Sequence, residues 1–397
     1  MKRYDAVIVG GGPIGSYTAK ELALRGHTVA LYEEHDKIGQ PLKCAGLVTS
    51  RALEFLPSSK KEIIQNEIFG AQIHSPSGEE ITIGGDKVHA YAINRVEFDK
   101  EMIYAAQESG AEIFLHSRVV KAKKDSKTMH VYLSDNRQSA ETKTSLLIGA
   151  DGPHSKIRES LFFPRPAELL KGFGAEVTNV QLDPKYVHIF VGTALAPGFF
   201  AWVIPLDERG TTARIGLCSI ISYKESIKQC FSNLLKKHIL KNCKIQKYLG
   251  GSIPLGPLKQ TVQAHVMLVG DAAAQVKPTS GGGIYPGLLC ARHCIQIANE
   301  ALEKQRFSEQ TLKKYHRLWS NDIGRELSRG MKFRQIFKNL SDQQMNTYLE
   351  KLNTKKTLDT INKYGDIDYP SKLTLPLLKS TPSLLKLLPS AFRTKKQ

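Results

Sequence analysis

The chain has 397 residues, enough for two or three domains and a substantial core. Lys and Arg number 56 against 38 Asp and Glu, a formal charge of +18, and hydrophobic residues make up 41%; a disordered or collagen-like chain is excluded. No apolar run reaches the roughly 18 residues of a membrane-spanning helix; residues 193–206 come nearest and contain Pro197, Gly198 and Pro205.

The N-terminus runs from charged residues straight into an apolar strand without a signal-like segment, so a cytoplasmic protein is expected. The six cysteines include no C-x-x-C pair, and no metal site is predicted. Cys290 and Cys294, four apart on a predicted helix, read as buried small side chains. The positive charge is compatible with nucleic acid or an anionic membrane, but no nucleic-acid module is recognisable. After Asp368 there is no acidic residue, while Lys372, Lys379, Lys386, Arg393, Lys395 and Lys396 follow among leucines and prolines. That tail favours a lipid surface over nucleic acid, although its leucines can equally pack on the protein itself.

In chain order, residues 4–9 predict a buried strand, 13–24 a helix ended by Gly26, and 27–32 a second strand: a βαβ unit. A helix is predicted over 96–108, then strands over 112–120, 129–133 and 145–148. The middle reads as an antiparallel sheet, with strands over 173–177, 186–191, 199–204 and 212–218. A strand over 265–269 precedes a long helix that starts after the glycines at 281–283 and runs to about 303; beyond 308 the chain reads as helical and polar. The expected architecture is α/β plus antiparallel β. A Rossmann-type domain is assembled from 1–70, 93–165 and 257–305; a sheet domain from 71–92 and 166–256; a helical region with a basic tail from 306–397.

Gly10-x-Gly12-x-x-Gly15, with Pro13 and Ile14 between, follows the first strand and opens the first helix. Gly10 suits a tight turn, Gly12 close approach of a pyrophosphate, and Gly15 close packing of helix on strand. The helix N-terminus offers free N–H groups to phosphate. Glu33, at the end of the second strand and followed by Glu34, suits a free ribose, as in FAD or NAD.

Further along, Gly149-Ala150-Asp151-Gly152-x-x-Ser155-x-x-Arg158, Arg95-x-x-Phe98-Asp99 and Gly270-Asp271-Ala272-Ala273, with Pro278, Gly281, Gly282, Gly283 and Ile284 after it, resemble the motifs of the geranylgeranyl reductase family. That family lies within the flavoprotein group of para-hydroxybenzoate hydroxylase. Two local segments narrow the resemblance. Within residues 39–46, Lys43-Cys44-Ala45 resembles the family's segment of a basic residue before Cys-Ala, with Lys43 in place of an arginine and Gly46 ending the loop sooner than in the Cys-Ala-Glu-Gly form. Residues 197–205 resemble its P-x-x-Y-x-W-x-F-P cavity segment, with Phe200 and Ile204 replacing the Tyr and Phe around Trp202 and Pro205.

The resemblance implies FAD as cofactor, held by Gly10, Gly12, Pro13, Ile14, Gly15, Glu33, Glu34, Lys43, Cys44, Ala45, Arg95, Val120, Asp151, Asp271, Gly282, Gly283 and Ile284. For Arg95 an ion pair with Glu97 or Asp99 is the alternative. It implies a substrate wall of Phe200, Trp202 and Pro205, and makes Cys44 the candidate catalytic residue; Tyr285 and ordered water are alternatives as proton source. The implied reaction saturates isolated C=C bonds of geranylgeranyl chains in archaeal-type lipid precursors. Its partners would be a polyprenyl lipid, NAD(P)H or ferredoxin as electron donor, and a transient contact with the inner membrane face. An aromatic monooxygenase on the same scaffold and a non-enzymatic basic flavin-binding protein are the alternatives. A halogenase is disfavoured because its W-x-W-x-I-P segment is absent.

Overall fold

In the computed structural model, which describes residues 2–57, 62–125, 127–135, 138–220 and 226–382, the first strand, Arg3–Val9, lies in the middle of an eight-stranded sheet. Strands Val29–Tyr32 and Gln138–Gly149 flank it in parallel; Glu112–Phe114 and Val266–Leu268 extend the parallel core outward. Both faces are covered, so alternate residues of one strand enter different cores. Ala6 and Ile8 face helices Pro13–Ala23, Arg95–Glu108 and Ile284–Glu303, through Leu22, Ala106, Cys290 and Cys294 among others. Val7 and Val9 face the antiparallel strands Arg118–Lys124 and Met129–Asp135, through Val119, Ala122 and Val131.

The middle of the chain forms a seven-stranded sheet in the order Lys244–Leu255, Glu168–Thr178, Thr212–Ile220, Phe200–Pro205, Tyr186–Val191, Gly70–His74, Glu80–Gly84. It departs from the all-antiparallel expectation in one place: Tyr186–Val191 pairs with Gly70–His74 in parallel. Alternation again sorts its residues. Ala201, Val203, Ala213 and Leu217 pack under helix Ile227–Leu235, while Phe200, Trp202 and Ile204 face the other way, toward the first sheet. A small third sheet, Leu47–Val48, Ala90–Ile93 and Ile64–Ile68, is not anticipated by the sequence reading. Neither is the strand Lys244–Leu255, which contains Gly250, Gly251 and Pro254, residue types depleted in strands.

Helices Glu309–Asn321, Ile323–Phe337, Asp342–Leu352 and Lys355–Tyr364 follow. No helix among the described residues is long and apolar enough to cross a membrane. The described start of the tail lies against the protein: Thr381 shares a buried hydrogen bond with Thr357, and Lys372 donates to Asp366 at 3.1 Å. Lys386, Arg393, Lys395, Lys396 and the leucines between them fall outside the described residues.

Candidate active site

A cavity of about 1330 Å³ runs between the two large sheets, from the N-terminal glycines to Phe199, Phe200 and Trp202. It exceeds the roughly 300–1,000 Å³ of ordinary small-molecule pockets, as a site for two ligands would. The glycines at its head divide by role. A Cβ on Gly10 (φ +105°) would stand 2.4 Å from the Ala150 oxygen, and one on Gly15 would stand 2.0 Å from the Gly10 oxygen. Both are fixed by packing. A Cβ on Gly12 would meet nothing within 4 Å, because that residue opens on the cavity. Pro13 takes the first helical position, and no side chain caps the helix, so its first-turn N–H groups remain available to an anion.

Glu33 reinforces this cradle. Its Oε2 accepts from Gly11 N at 2.7 Å and its Oε1 from His35 N at 3.0 Å and Nδ1 at 2.6 Å. A carboxylate has about four acceptor positions, so capacity remains for a ribose hydroxyl. Glu34 stands exposed on the rim, 3.4 Å from Arg118 Nε. One expectation shifts by a residue. Val120 is 42% exposed and points away, and Val119 faces the cavity instead, because successive side chains of strand Arg118–Lys124 alternate in direction.

Asp151 lines the cavity, but its carboxylate works locally. It accepts from Ser155 Oγ at 2.6 Å and Ile157 N at 3.1 Å, fixing the start of helix Lys156–Ser160. Arg158 then donates to the Ala272 oxygen at 3.0 Å and ties the motif at 149–158 to the one at 270–273. Asp271 faces the same space; burial pushes its carboxyl up to about 6, against the pull of Arg95 and Arg158. Gly283 is bare because a Cβ there would stand 2.8 Å from Asp271 Oδ1. Helix Ile284–Glu303 begins at that glycine, again without a side-chain cap, with Gly282, Gly283, Ile284 and Tyr285 on the cavity wall.

Arg95 is buried and donates to both oxygens of Asp99, at 2.8 and 2.9 Å. The ion pair with Asp99 forms, buried and not at the surface, and Arg95 also faces the cavity. Burial works against its charge, but Asp99 and the neighbouring Cys44 outweigh it and hold the proton more firmly than usual. Lys43, Cys44 and Ala45 form the adjoining wall, and Gly46 N donates to Cys44 Sγ at 3.3 Å. Phe200 and Trp202 face the cavity as expected. Pro205 does not; it is buried behind the sheet, with its carbonyl accepting from Asn66 Nδ2 at 3.2 Å. Arg95 Nε and Trp202 Nε1 are buried with no hydrogen-bond partner, two donors that a polar ligand would satisfy. Among the described residues no His, Cys, Asp or Glu cluster is arranged to hold a metal.

The sequence reading missed three charged residues of this site. Arg214, 2% exposed, donates to the Ala45 oxygen at 2.8 Å and to Glu176 Oε1 at 2.7 Å, pinning the Cys44 loop to the seven-stranded sheet. Gly46 carries no side chain because a Cβ would stand 2.2 Å from that guanidinium. Lys277 and Asp368 meet at 2.7 Å on the opposite wall. A lone arginine amid the apolar strand Thr212–Ile220 was the one signal available beforehand.

The FAD binding domain family matches residues 3–317. The chain is 32% identical to a digeranylgeranylglycerophospholipid reductase of Methanocaldococcus jannaschii, covering 96% of this chain and 97% of that one. It is 29% identical to a second protein of that name from Methanopyrus kandleri, over 96% and 98%. In structure it is similar to a geranylgeranyl bacteriochlorophyll reductase-like protein of Thermoplasma acidophilum, with a TM-score of 0.86 and 23% identity over 99% of this chain and 100% of that one. A flavin-dependent brominase shares the fold at a TM-score of 0.73 and 17% identity, over 97% and 100%. FAD is thus the cofactor, and the cradle, the two bare helix starts and the orphaned Arg95 donor fit it. The chain belongs to the FAD-binding-domain flavoproteins and, among them, to the geranylgeranyl reductase family.

Proposed function

We propose that this chain is an FAD-dependent reductase that saturates isolated C=C bonds of geranylgeranyl chains in archaeal-type membrane lipid precursors. The observation that carries the reading is the single cavity joining a dinucleotide cradle to an aromatic slot of Phe199, Phe200 and Trp202. The full-length likeness to reductases of that substrate class agrees with it.

In this reading Gly10, Gly12, Pro13, Ile14 and Gly15 hold the pyrophosphate, and Glu33 and Glu34 the ribose. Arg95, Asp151 and Asp271 surround the middle of the cofactor. Gly282, Gly283 and Ile284 on one wall, and Lys43, Cys44 and Ala45 on the adjoining one, would hold the ring. Bound FAD, once reduced, supplies the hydride for one alkene carbon. An unactivated alkene has no carbonyl to polarise, so the protein's work is alignment and exclusion of water. Phe200 and Trp202 orient the chain, and Trp202, laid over Gly216, fixes the width of the slot. Cys44, beside Arg95, is the side chain assigned to proton handling at the second carbon. NAD(P)H or ferredoxin would be the source of electrons, and the lipid would be taken from the inner membrane face during transient contact.

The test is anaerobic mixing of photoreduced protein with a geranylgeranylglycerol phospholipid. The reading requires flavin absorbance to return in proportion to added lipid and not with the saturated lipid. Identical traces with both lipids would end it.

A further inference from the structure

Lys277 is 6% exposed and lies flat against the glycine loop it closes. Its N–H donates to the Gly282 oxygen at 3.1 Å, and its carbonyl accepts from Gly281 N at 2.8 Å. A Cβ on Gly282 would stand 2.9 Å from Lys277 Cε and 3.4 Å from Nζ, so the side chain lies directly against that glycine. The ammonium donates to Asp368 Oδ1 at 2.7 Å and the Ile367 oxygen at 3.2 Å. Asp368 is buried in turn, and accepts from Thr49 Oγ1 at 2.6 Å and Arg51 Nη1 at 3.1 Å. Arg51 also grips Asp366 through both nitrogens, at 2.8 and 3.1 Å. Tyr369 OH meets Tyr285 OH at 3.2 Å. The segment from 366 to 369 thus forms a strap from the C-terminal region across the cavity wall, and Ile367 and Asp368 reach the cavity itself.

A strap needs no charge to be anchored. Two apolar side chains would hold it without the desolvation cost of several kcal/mol per buried ion. The cluster moreover carries an excess of positive charge: Lys277, Arg51 and Lys372 stand against Asp366 and Asp368. On the reading that the flavin ring lies along the glycines at 281–283, we propose that Lys277 is a redox-tuning residue. Its ammonium, held against the loop by Asp368, stabilises the negative charge that the ring gathers on two-electron reduction. The C-terminal strap is thereby part of the redox centre.

The experiment measures the two-electron midpoint potential of bound FAD by dye equilibration, and the absorption spectrum of the fully reduced flavin at neutral pH. It uses the full-length FAD-loaded protein as wild type, Lys277→Gln and Lys277→Arg. Gln keeps the hydrogen bond to Asp368 without the charge. We expect Lys277→Gln to weaken the hold on the reduced form relative to the oxidised form at least tenfold, about 30 mV lower in potential. Its reduced spectrum should shift from the anionic toward the neutral form, and Lys277→Arg should stay within threefold of wild type. Should Lys277→Gln fail to fold, Lys277→Met removes the ammonium alone, leaves Asp368 to Thr49 and Arg51, and should move the potential in the same direction. A flavin-loaded uncharged variant with wild-type potential and spectrum would overturn the proposal and leave the strap a mere anchor. A wild-type protein that takes up no FAD would overturn the flavin reading as well, so the two failures are distinguishable.

Discussion

Substituting Gly12 by valine separates what the cradle does for the fold from what it does for the cofactor. Gly12 has φ −71° and ψ 176°, an extended conformation open to any residue, and its Cβ would project into empty space. The ligand-free protein should therefore lose only about 1 kcal/mol, the cost of a poor residue at a helix N-cap. The isopropyl group, however, fills the volume from which a pyrophosphate reaches the first-turn N–H groups. Losing two charge-assisted hydrogen bonds, each worth roughly 1.5–3 kcal/mol, weakens binding by about 10²- to 10⁴-fold. Calorimetric titration of deflavinated protein with FAD measures this directly. Thermal unfolding supplies the control, since FAD at a hundredfold excess over Kd should stabilise wild type by about 2.7 kcal/mol and the variant hardly at all. Gly15→Ala should do the opposite and damage the fold itself, because its Cβ would stand 2.0 Å from the Gly10 oxygen. If Gly12→Val bound FAD within threefold of wild type, the cradle would not be where the phosphates sit.

Asp271→Asn should trade function for stability. A carboxyl raised to about 6 binds its proton more tightly folded than unfolded, so it costs stability as pH rises from about 4 to 6, and fully above that. The ligand-free variant should gain up to about 3 kcal/mol at pH 7–8 and nothing below pH 4, by urea unfolding, while holding FAD less well; equal gains at both pH values would contradict this. Arg214→Met leaves the Ala45 carbonyl and Glu176 without their partner. With Glu176 30% exposed, the cost should be about 2–3 kcal/mol, with faster alkylation of Cys44, and unaltered labelling would sever Arg214 from that loop. Trp202→Ala should raise KM for a twenty-carbon chain about ten- to a hundredfold with FAD retained. An unchanged KM would make Trp202 plain sheet core.

What the sequence disclosed and what it hid follow from chain distance. Gly10, Gly12 and Gly15 act within one strand–turn–helix, and the glycines at 281–283 open a helix, so their roles are written locally. Phe200 and Trp202 were legible through the resemblance of residues 197–205 to a family segment, and alternation along one strand puts both on the cavity face. Val120 and Pro205, carried over by resemblance, lie one residue out of phase with the strand alternation that turns Val119 and Ile204 to the cavity. Arg214 reaches a carbonyl 169 residues away, and Lys277 a carboxylate 91 residues on. No local pattern signals such contacts, and only the folded chain brings them to the cavity.

Reduction of an unactivated alkene in the slot between cradle and Trp202 would show as a change of mass. Anaerobic incubation of dithionite-reduced protein with an unsaturated archaeal-type phospholipid should give products heavier by successive pairs of hydrogens, with Trp202→Ala reducing their yield. Unchanged lipid, or product that gains oxygen when air is admitted, would contradict the account.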